Sequence, residues 1–222
     1  MNVIIFGPNG SGKGTQSSLI KNEFGLSHIE SGDLFRENIS NKTDLGLQAK
    51  QFIDKGELVP DEITIPMILS TLEKSSGNGW LLDGFPRNKN QAIQLIEAID
   101  CAGLSLDCIV VILLDRAEAK KRIMGRRICV NNSHHPNNIH IPSISPSNNG
   151  CRICQGNLVT RPDDQDEDAI NKRHNIYYDS VSGTLAAIDV FKKMNRFTFI
   201  EVKGDKSIDE IQATLISKIK GV

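Results

Sequence analysis

The chain has 222 residues, of which 39% are hydrophobic and 24% are charged. That composition is ordinary for a globular protein, and the length is that of one domain with insertions or of one domain and a small module. Lysine and arginine together number 26, and aspartate and glutamate number 27. This near-neutral balance argues against a nucleic-acid or anionic-membrane partner, because binding either one requires a surplus of basic residues.

The apolar segments of the chain are short. The longest, 109–114, falls far below the roughly 20 residues of a membrane span. The first, 3–6, leads into a glycine-rich loop rather than into a signal-peptide cleavage site. We therefore expect a cytoplasmic protein, and in that reducing compartment its five cysteines are better suited to hold a metal than to form disulfides.

Short apolar runs alternate along the chain with segments of helical periodicity. The predicted strands are 3–6, 80–82, 108–114 and 197–202. The predicted helices are 14–24, 45–55, 61–74, 90–101, 117–126 and 208–218, with a weaker one over 169–194. Continuously apolar strands separated by helices are typical of a parallel sheet covered on both faces. The sequence thus predicts an α/β fold.

A glycine-rich loop, Gly7 to Lys13 (GPNGSGK), follows the first predicted strand and precedes the first helix. In that context such a loop directs backbone N–H groups at phosphate oxygens, and the lysine adds a positive charge. The residue after the lysine is Gly14, and the hydroxyl that often holds Mg²⁺ comes one position later, at Thr15. Asp83, which ends the second predicted strand, is placed to reach Mg²⁺ through water.

The segment 129–160 lacks helical periodicity and is rich in Asn, Ser and Pro. An unpatterned stretch of this length is either disordered or held together as a small module. Cys151 and Cys154 form a C-x-x-C half-site, and Cys129 lies upstream of them. Zn²⁺ takes four such ligands and accepts thiolates together with a histidine.

The fourth ligand has three candidates, His134, His135 and His140. We favour His135, because the following Pro136 restricts its backbone to extended conformations, and His134 is the nearest alternative. A closed site of four ligands leaves no open position for chemistry, so we expect a structural metal. Zn²⁺ is the first expectation, and Fe²⁺ or Co²⁺ also suits three thiolates and a histidine.

A site for phosphoryl transfer needs positioning and charge neutralisation more than covalent chemistry. Two polyanions must be brought together, and guanidinium groups grip phosphate oxygens in a bidentate manner. Several arginines from separate parts of the chain are therefore needed. The candidates are those in the motifs described next: Arg36, Arg87, Arg122, Arg126 and Arg161.

Several motifs resemble, in order and spacing, those of the adenylate kinase family. They are GPNGSGKGTQ at 7–16, SGDLFR at 31–36, GELVPDE at 56–62, DGFPR at 83–87 with Gln91, Arg122 with GRR at 125–127, and Arg161 with the aspartates 163 and 164. The resemblance covers essentially the whole chain except parts of 130–150. It implies a P-loop nucleoside monophosphate kinase fold with a core of 1–30, 61–124 and 165–222, an AMP-binding domain of 31–60 and a metal-stapled lid of 125–164.

The resemblance also implies a role for each matching residue. Catalytic residues would be Lys13, Arg87, Arg122, Arg126, Arg161 and Arg173. ATP would be bound by Gly10, Ser11, Gly12, Lys13, Gly14, Thr15 and Arg126. AMP would be bound by Ser31, Arg36, Glu57, Leu58, Val59, Gly84, Phe85, Pro86, Arg87, Gln91, Arg161 and Arg173, with the Gln91 amide as a reader of adenine.

The implied reaction is direct in-line transfer from Mg-ATP to AMP, giving two ADP, by a monomer and without a phosphoenzyme. A kinase for another nucleoside monophosphate on the same scaffold is the nearest alternative. A zinc-ribbon binding protein that uses ATP as a switch is a more distant one.

Two positions depart from the family pattern. The family's second lid ligand would fall on Asn132, which leaves the fourth place in the metal site to a histidine. The family's arginine after the paired aspartates would fall on Lys172 when counted from Asp163. A one-residue insertion within 165–169 would restore Arg173 to that role, and we favour it over Lys172.

Overall fold

The computed structural model describes residues 1–53, 59–75 and 77–222. Its strands are, in chain order, β1 (Asn2–Phe6), β2 (Ser27–Glu30), β3 (Trp80–Asp83), β4 (Cys108–Leu113), β5 (Arg126–Cys129), β6 (Asn137–Asn138), β7 (Leu158–Val159) and β8 (Thr198–Lys203). Its helices are α1 (Lys13–Phe24), α2 (Ser31–Ser40), α3 (Asp44–Ile53), α4 (Asp61–Lys74), α5 (Lys89–Cys101), α6 (Arg116–Gly125), α7 (Glu167–Tyr178), α8 (Thr184–Met194) and α9 (Ile208–Ile219).

A five-stranded parallel sheet with the order β2-β3-β1-β4-β8 forms the core. Successive side chains of a strand point to opposite faces. In β1, Val3 and Ile5 therefore pack with α1 and α9, whereas Ile4 and Phe6 pack with α4, α5 and α8. Because helices cover both faces, the apolar runs are buried, and the predicted α/β fold is confirmed.

The parallel strands bring the predicted site to one edge of the sheet. In the register of β1 with β3, Ile5 stands opposite Asp83, so the glycine-rich loop that follows β1 begins beside the end of β3. The carboxyl edge of such a sheet is the usual place for a ligand, because the loops that follow neighbouring strands meet there.

The structure differs from the sequence prediction at several elements. Strand β2 and helix α2 were not predicted, because β2 is short and half polar and lies directly against the start of α2. The predicted helix 169–194 is two helices, and the Asp179 side chain turns the chain between them by accepting hydrogen bonds from the backbone of Val181 and Ser182. The last two residues of the predicted helix 45–55 lie outside the described ranges.

Beyond α6 the chain forms a small antiparallel sheet with the order β6-β5-β7. Strand β5 begins at Arg126, where the predicted helix 117–126 was expected to end. A separate apolar cluster joins Ala49 of α3 to Val59 and to Ile63 and Met67 of α4, and thus spans the boundary predicted at residue 60. The proposed domain limits stay predictions. Among the residues described, no helix combines the length and the apolar character that crossing a bilayer requires.

Candidate active site and metal centre

The glycine-rich loop joins the buried strand β1 to the N-terminus of α1. Gly10 and Gly12 adopt φ of +94° and +87°, a region that side chains with a Cβ rarely occupy. A Cβ on Gly10 would also stand 2.4 Å from the carbonyl oxygen of Ala119 on α6. Glycine is therefore required where the loop presses against α6, and the start of α1 faces an open cleft.

Lys13, the first residue of α1, reaches the buried carboxylate at the end of β3. Its Nζ donates to Asp83 Oδ1 at 2.5 Å, and Ser17 Oγ donates to Asp83 Oδ2 at 3.1 Å. His28 Nε2 lies 3.7 Å from the same Oδ2. Burial raises the pKa of Asp83, but the charge of Lys13 and the contact with His28 outweigh burial and lower the pKa to about 2. The carboxylate is ionised and holds Lys13 toward the cleft.

The structure brings every arginine selected from the sequence to this cleft, which has about 1960 Å³ of empty space. The arginines come from helices, strands and loops that are far apart in the chain. They are Arg36, Arg87, Arg122, Arg126, Arg161 and Arg173. Together with Lys13 they give the cleft the positive charge that two polyanions require.

Carboxylates and carbonyl oxygens hold several of these arginines in place. Arg126 makes a bidentate contact with Asp164, at 2.7 and 2.8 Å, and that carboxylate has no exposed surface. Arg122 donates to the carbonyl oxygen of Gly204 at 2.7 Å. Arg87 donates to the carbonyl oxygen of Gly84 at 2.7 Å. These contacts orient the guanidinium groups, which reduces the entropy lost when an anion binds.

Of the two candidates after the paired aspartates, Arg173 and not Lys172 lies at the cleft. Arg173 lines the cleft and donates to Asp163 Oδ2 at 2.8 Å, whereas Lys172 is exposed. Asp166 accepts hydrogen bonds at the start of α7 and so fixes where the helix begins. Helix α7 thus presents Arg173 to the cleft, and the assignment of the family's arginine role to Arg173 stays a prediction.

The predicted AMP-site residues are only partly gathered at the cleft. Ser31 Oγ donates to the carbonyl oxygen of Gly84 at 2.9 Å, and Phe85 and Pro86 line the space beside Gly84 and Arg87. Val59 is buried in the cluster beneath α2 and α3. The predicted residues Glu57 and Leu58 lie outside the described residues.

Gln91 is buried on α5, and both ends of its side-chain amide have partners. Its Oε1 accepts from the backbone N–H of Arg87 at 2.8 Å, and its Nε2 donates to Asp61 Oδ1 at 2.8 Å. In this arrangement Gln91 braces the segment that carries Arg87. Its role as a reader of adenine stays a prediction.

Three cysteines and one histidine converge beside the small antiparallel sheet: Cys129 ends β5, and the other three lie in the segments that connect its strands. The ligand atoms of Cys129, His135, Cys151 and Cys154 all lie within 4.8 Å of one another. The sulfurs of Cys129 and Cys154 are 3.4 Å apart, and Cys151 Sγ is 3.4 Å from His135 Nδ1. Zn–S bonds of about 2.3 Å place the ligands of a tetrahedral site about 3.8 Å apart, so these donors fit a metal of that size.

The surroundings of Cys151 favour a thiolate, whereas burial raises the pKa of the neighbouring Cys129 thiol. Burial raises the pKa of the Cys151 thiol, but the backbone N–H groups of Cys154 and Ile153 and the side-chain amide of Asn137 outweigh burial and lower it. Asn137 Nδ2 donates to Cys151 Sγ at 3.3 Å. Asn132, the family's ligand position, instead accepts a hydrogen bond from the backbone N–H of His134.

The structure adds cleft residues that the sequence analysis missed. They include Arg127, Asn137, Gly204, Lys206 and Ser207. The last three follow β8 and so lie at the carboxyl edge of the parallel sheet, which is a signal that could have identified them. Asn137 gave no such signal, because its place depends on pairing with Arg127 across the small sheet.

Comparison with known proteins supplies one consistent result. The family model described as adenylate kinase matches residues 5–196. The adenylate kinase of Solidesulfovibrio magneticus is 60% identical over 99% of this chain and 100% of its own length. Those of Desulfovibrio desulfuricans and Lawsonia intracellularis are 58% and 57% identical over 99% of this chain, and over 100% and 97% of their own lengths.

Proposed function

The chain belongs to the adenylate kinase family, and from that premise we propose how its residues carry out the family's reaction, reversible phosphoryl transfer from Mg-ATP to AMP to give two ADP. The observation that carries the proposal is the single cleft that holds the glycine-rich loop, Lys13 and the arginines selected from the sequence. This fits transfer between two bound nucleotides, which depends on positioning and charge neutralisation.

On the donor side, the backbone from Gly10 to Thr15 binds the phosphates of ATP, and Lys13 neutralises charge at the transferred group. Asp83 has two functions in this proposal. It holds Lys13 at the cleft, and its ionised carboxylate would hold the Mg²⁺ of Mg-ATP through bound water. Magnesium bound to ATP would neutralise phosphate charge during transfer.

On the acceptor side, Arg36 and Arg87 bind the phosphate of AMP, with Ser31 and Gly84 shaping the pocket. Arg122, Arg126, Arg161 and Arg173 surround the transferred group, and we include them with Lys13 and Arg87 as the catalytic set. A phosphate oxygen of AMP is already a nucleophile, so no general base is needed. Transfer is therefore direct and in line, without a phosphoenzyme.

We further propose that Cys129, His135, Cys151 and Cys154 hold one structural metal in the segment 125–164. When bound, the metal would cross-link a small sheet that is too small to stabilise itself by apolar burial. Zn²⁺ is the first candidate, and Fe²⁺ and Co²⁺ also suit this donor set. The segments 31–60 and 125–164 would close over the nucleotides and exclude water. We expect the enzyme to act in the cytoplasm as a monomer.

The test is diphosphate formation by the purified, metal-loaded protein. Mg-ATP is mixed separately with AMP, GMP, CMP and UMP, and each reaction is followed by separating the nucleotides. We expect ADP to accumulate with AMP and little transfer with the other acceptors. Preferred transfer to another monophosphate would assign the enzyme to a different acceptor. Absence of transfer to all four would contradict the proposed function.

A further inference from the structure

A histidine that the reaction does not use lies directly behind the glycine-rich loop. His174, on α7, has no exposed surface. Its Nε2 is 3.3 Å from the carbonyl oxygen of Asn9, a residue of the loop that is 165 positions away in the chain. Its Nδ1 is buried and has no hydrogen-bond partner among the residues described. The ring also packs edge-on against Tyr178, with 5.7 Å between the ring centroids.

The contact with Asn9 identifies the protonation state of the ring. A carbonyl oxygen only accepts, so Nε2 carries the proton and donates. Burial lowers the pKa of His174, the Asn9 carbonyl partly opposes that effect, and the cations Arg116, Arg173 and Lys120 add to it. The ring is therefore neutral near pH 7, with Nε2 protonated and Nδ1 bare.

The hydrogen bond from His174 constrains the Gly10 N–H as well as the Asn9 carbonyl. In a planar trans peptide the C=O of one residue and the N–H of the next point in opposite directions. Holding the Asn9 carbonyl toward α7 therefore fixes the direction of the Gly10 N–H on the other side of the loop. Gly10 is also pressed against α6, where a Cβ would stand 2.4 Å from the Ala119 carbonyl oxygen. The loop is thus held between α6 and α7.

We propose that His174 is a positioning residue for phosphoryl transfer: through the Asn9 carbonyl it aligns the phosphate-binding N–H groups of the loop with Arg173, its neighbour on α7. Arg173 lines the same cleft as Asn9 and Gly10. Helix α7 therefore positions both an arginine of the transfer site and the loop backbone that binds the donor phosphates. The inference rests on the proposed assignment of the loop to ATP.

Three substitutions separate the hydrogen bond from the packing of the ring. His174→Leu keeps an apolar side chain but removes the donor, and we expect kcat/KM for ATP to fall by about tenfold or more, since small misplacements of this kind are costly. The KM for AMP should change less than the KM for ATP. His174→Gln places an amide N–H near the position of Nε2 and should recover most of the loss. His174→Asn is too short to reach the Asn9 carbonyl and should not.

Tyr178→Phe is the matched control on the same helix. It removes a hydrogen bond from α7 to the Leu114 carbonyl oxygen, at 2.8 Å, that does not involve the loop. We expect it to lower thermal stability while the ATP and AMP parameters stay near those of the wild type. Equal kinetic losses in His174→Leu and Tyr178→Phe, or no recovery in a folded His174→Gln, would overturn the inference. Wild-type transfer from ATP to AMP tests the proposed function separately, because it does not depend on any variant.

Discussion

The glycine-rich loop and the proposed lid segment, residues 125–164 with the proposed metal centre, differ in what surrounds them. The loop follows β1, whose residues Val3 to Phe6 are at most 3% exposed, and it lies between α6 and α7. In the lid segment, apolar side chains such as Val130 and Ile153 are more than half exposed, whereas Cys129 and Cys151 are buried. The loop therefore takes its shape from the apolar core, whereas we propose that the metal ligands hold the lid segment together.

This difference predicts that the two regions respond to different perturbations. A change in the loop should alter transfer and leave the fold of both regions intact. A change in the metal centre should disorganise the lid segment and affect transfer indirectly, because β5 carries both Cys129 and the cleft residue Arg126. The following predictions test this separation, beginning with the largest effect.

Lys13→Met removes the positive charge that we assign to the transferred phosphate. We expect turnover to fall by about 10³-fold or more, on the scale of losing one preorganised electrostatic group, while the circular dichroism spectrum is unchanged. The free energy of unfolding should fall by about 1–3 kcal/mol, because Asp83 is left buried without its main partner. Steady-state ADP formation and urea unfolding measure the two effects.

Lys172→Met is the matched control, because it makes the same substitution at an exposed lysine of α7. Its turnover and stability should stay near those of the wild type. If Lys13→Met kept turnover within about tenfold of the wild type, the assignment of the loop to the transferred phosphate would be wrong.

Cys151→Ser breaks the metal centre, because a serine hydroxyl is not ionised near pH 7 and binds Zn²⁺ weakly. We expect loss of bound metal, rapid proteolysis within 129–154 and a core that still unfolds cooperatively. Turnover should fall by about 10- to 100-fold, less than in Lys13→Met, because the arginines of β5 lose their alignment but remain present. Metal analysis, limited proteolysis and thermal unfolding give the measurements.

Cys101→Ser is the control for loss of a thiol, since Cys101 is an exposed cysteine at the end of α5. It should keep the metal and resist the protease as the wild type does. A Cys151→Ser protein that lost its metal but kept an intact lid segment would show that apolar packing, and not the ligand set, holds this region together. Full metal content in this variant would show that Cys151 is not a required ligand.

Asn137→Asp tests the support of the metal centre rather than its ligands. The Asn137 amide donates to Cys151 Sγ and to the carbonyl oxygen of His135, at 3.3 and 3.0 Å. A carboxylate cannot donate either bond, and its charge repels a thiolate. We expect metal affinity, measured by competition with a chelator, to fall by about tenfold. Asn157→Asp makes the same change at an exposed lid residue and should keep the wild-type affinity; equal losses in both variants would refute a specific role for Asn137.

The sequence predicts features that depend on neighbouring residues better than those that depend on distant contacts. The glycine-rich loop at Gly7 to Lys13 could be predicted because its strand, its glycines and its helix follow one another in the chain. Three cysteines and His135 could be selected from donor chemistry and the restriction imposed by Pro136, and the structure brings these four residues together.

Long-range contacts account for what the sequence did not reveal. Nothing near His174 in the chain indicates that it meets Asn9, since the contact requires α7 to pack behind a loop formed 165 residues earlier. The internal partners of Gln91 depend in the same way on Asp61 of another helix. Lys206, by contrast, could have been identified from the sequence. It follows the last predicted strand and therefore lies at the carboxyl edge of the parallel sheet.

The smallest expected effect is that of acid on stability: protonation of the buried His174 should lower the free energy of unfolding. Burial lowers the pKa of this residue, the Asn9 carbonyl partly opposes the shift, and Arg116, Arg173 and Lys120 increase it. A histidine whose pKa is lower in the folded protein takes up protons more readily when unfolded, so its contribution to stability is complete above about pH 6.5 and shrinks below it. Urea unfolding of metal-loaded wild type and His174→Gln at about pH 7.5 and about pH 5.5 should show the larger loss in the wild type. Both proteins carry the same lid ligands, so proton uptake there cancels in the comparison, and equal losses would mean that the acid sensitivity arises elsewhere.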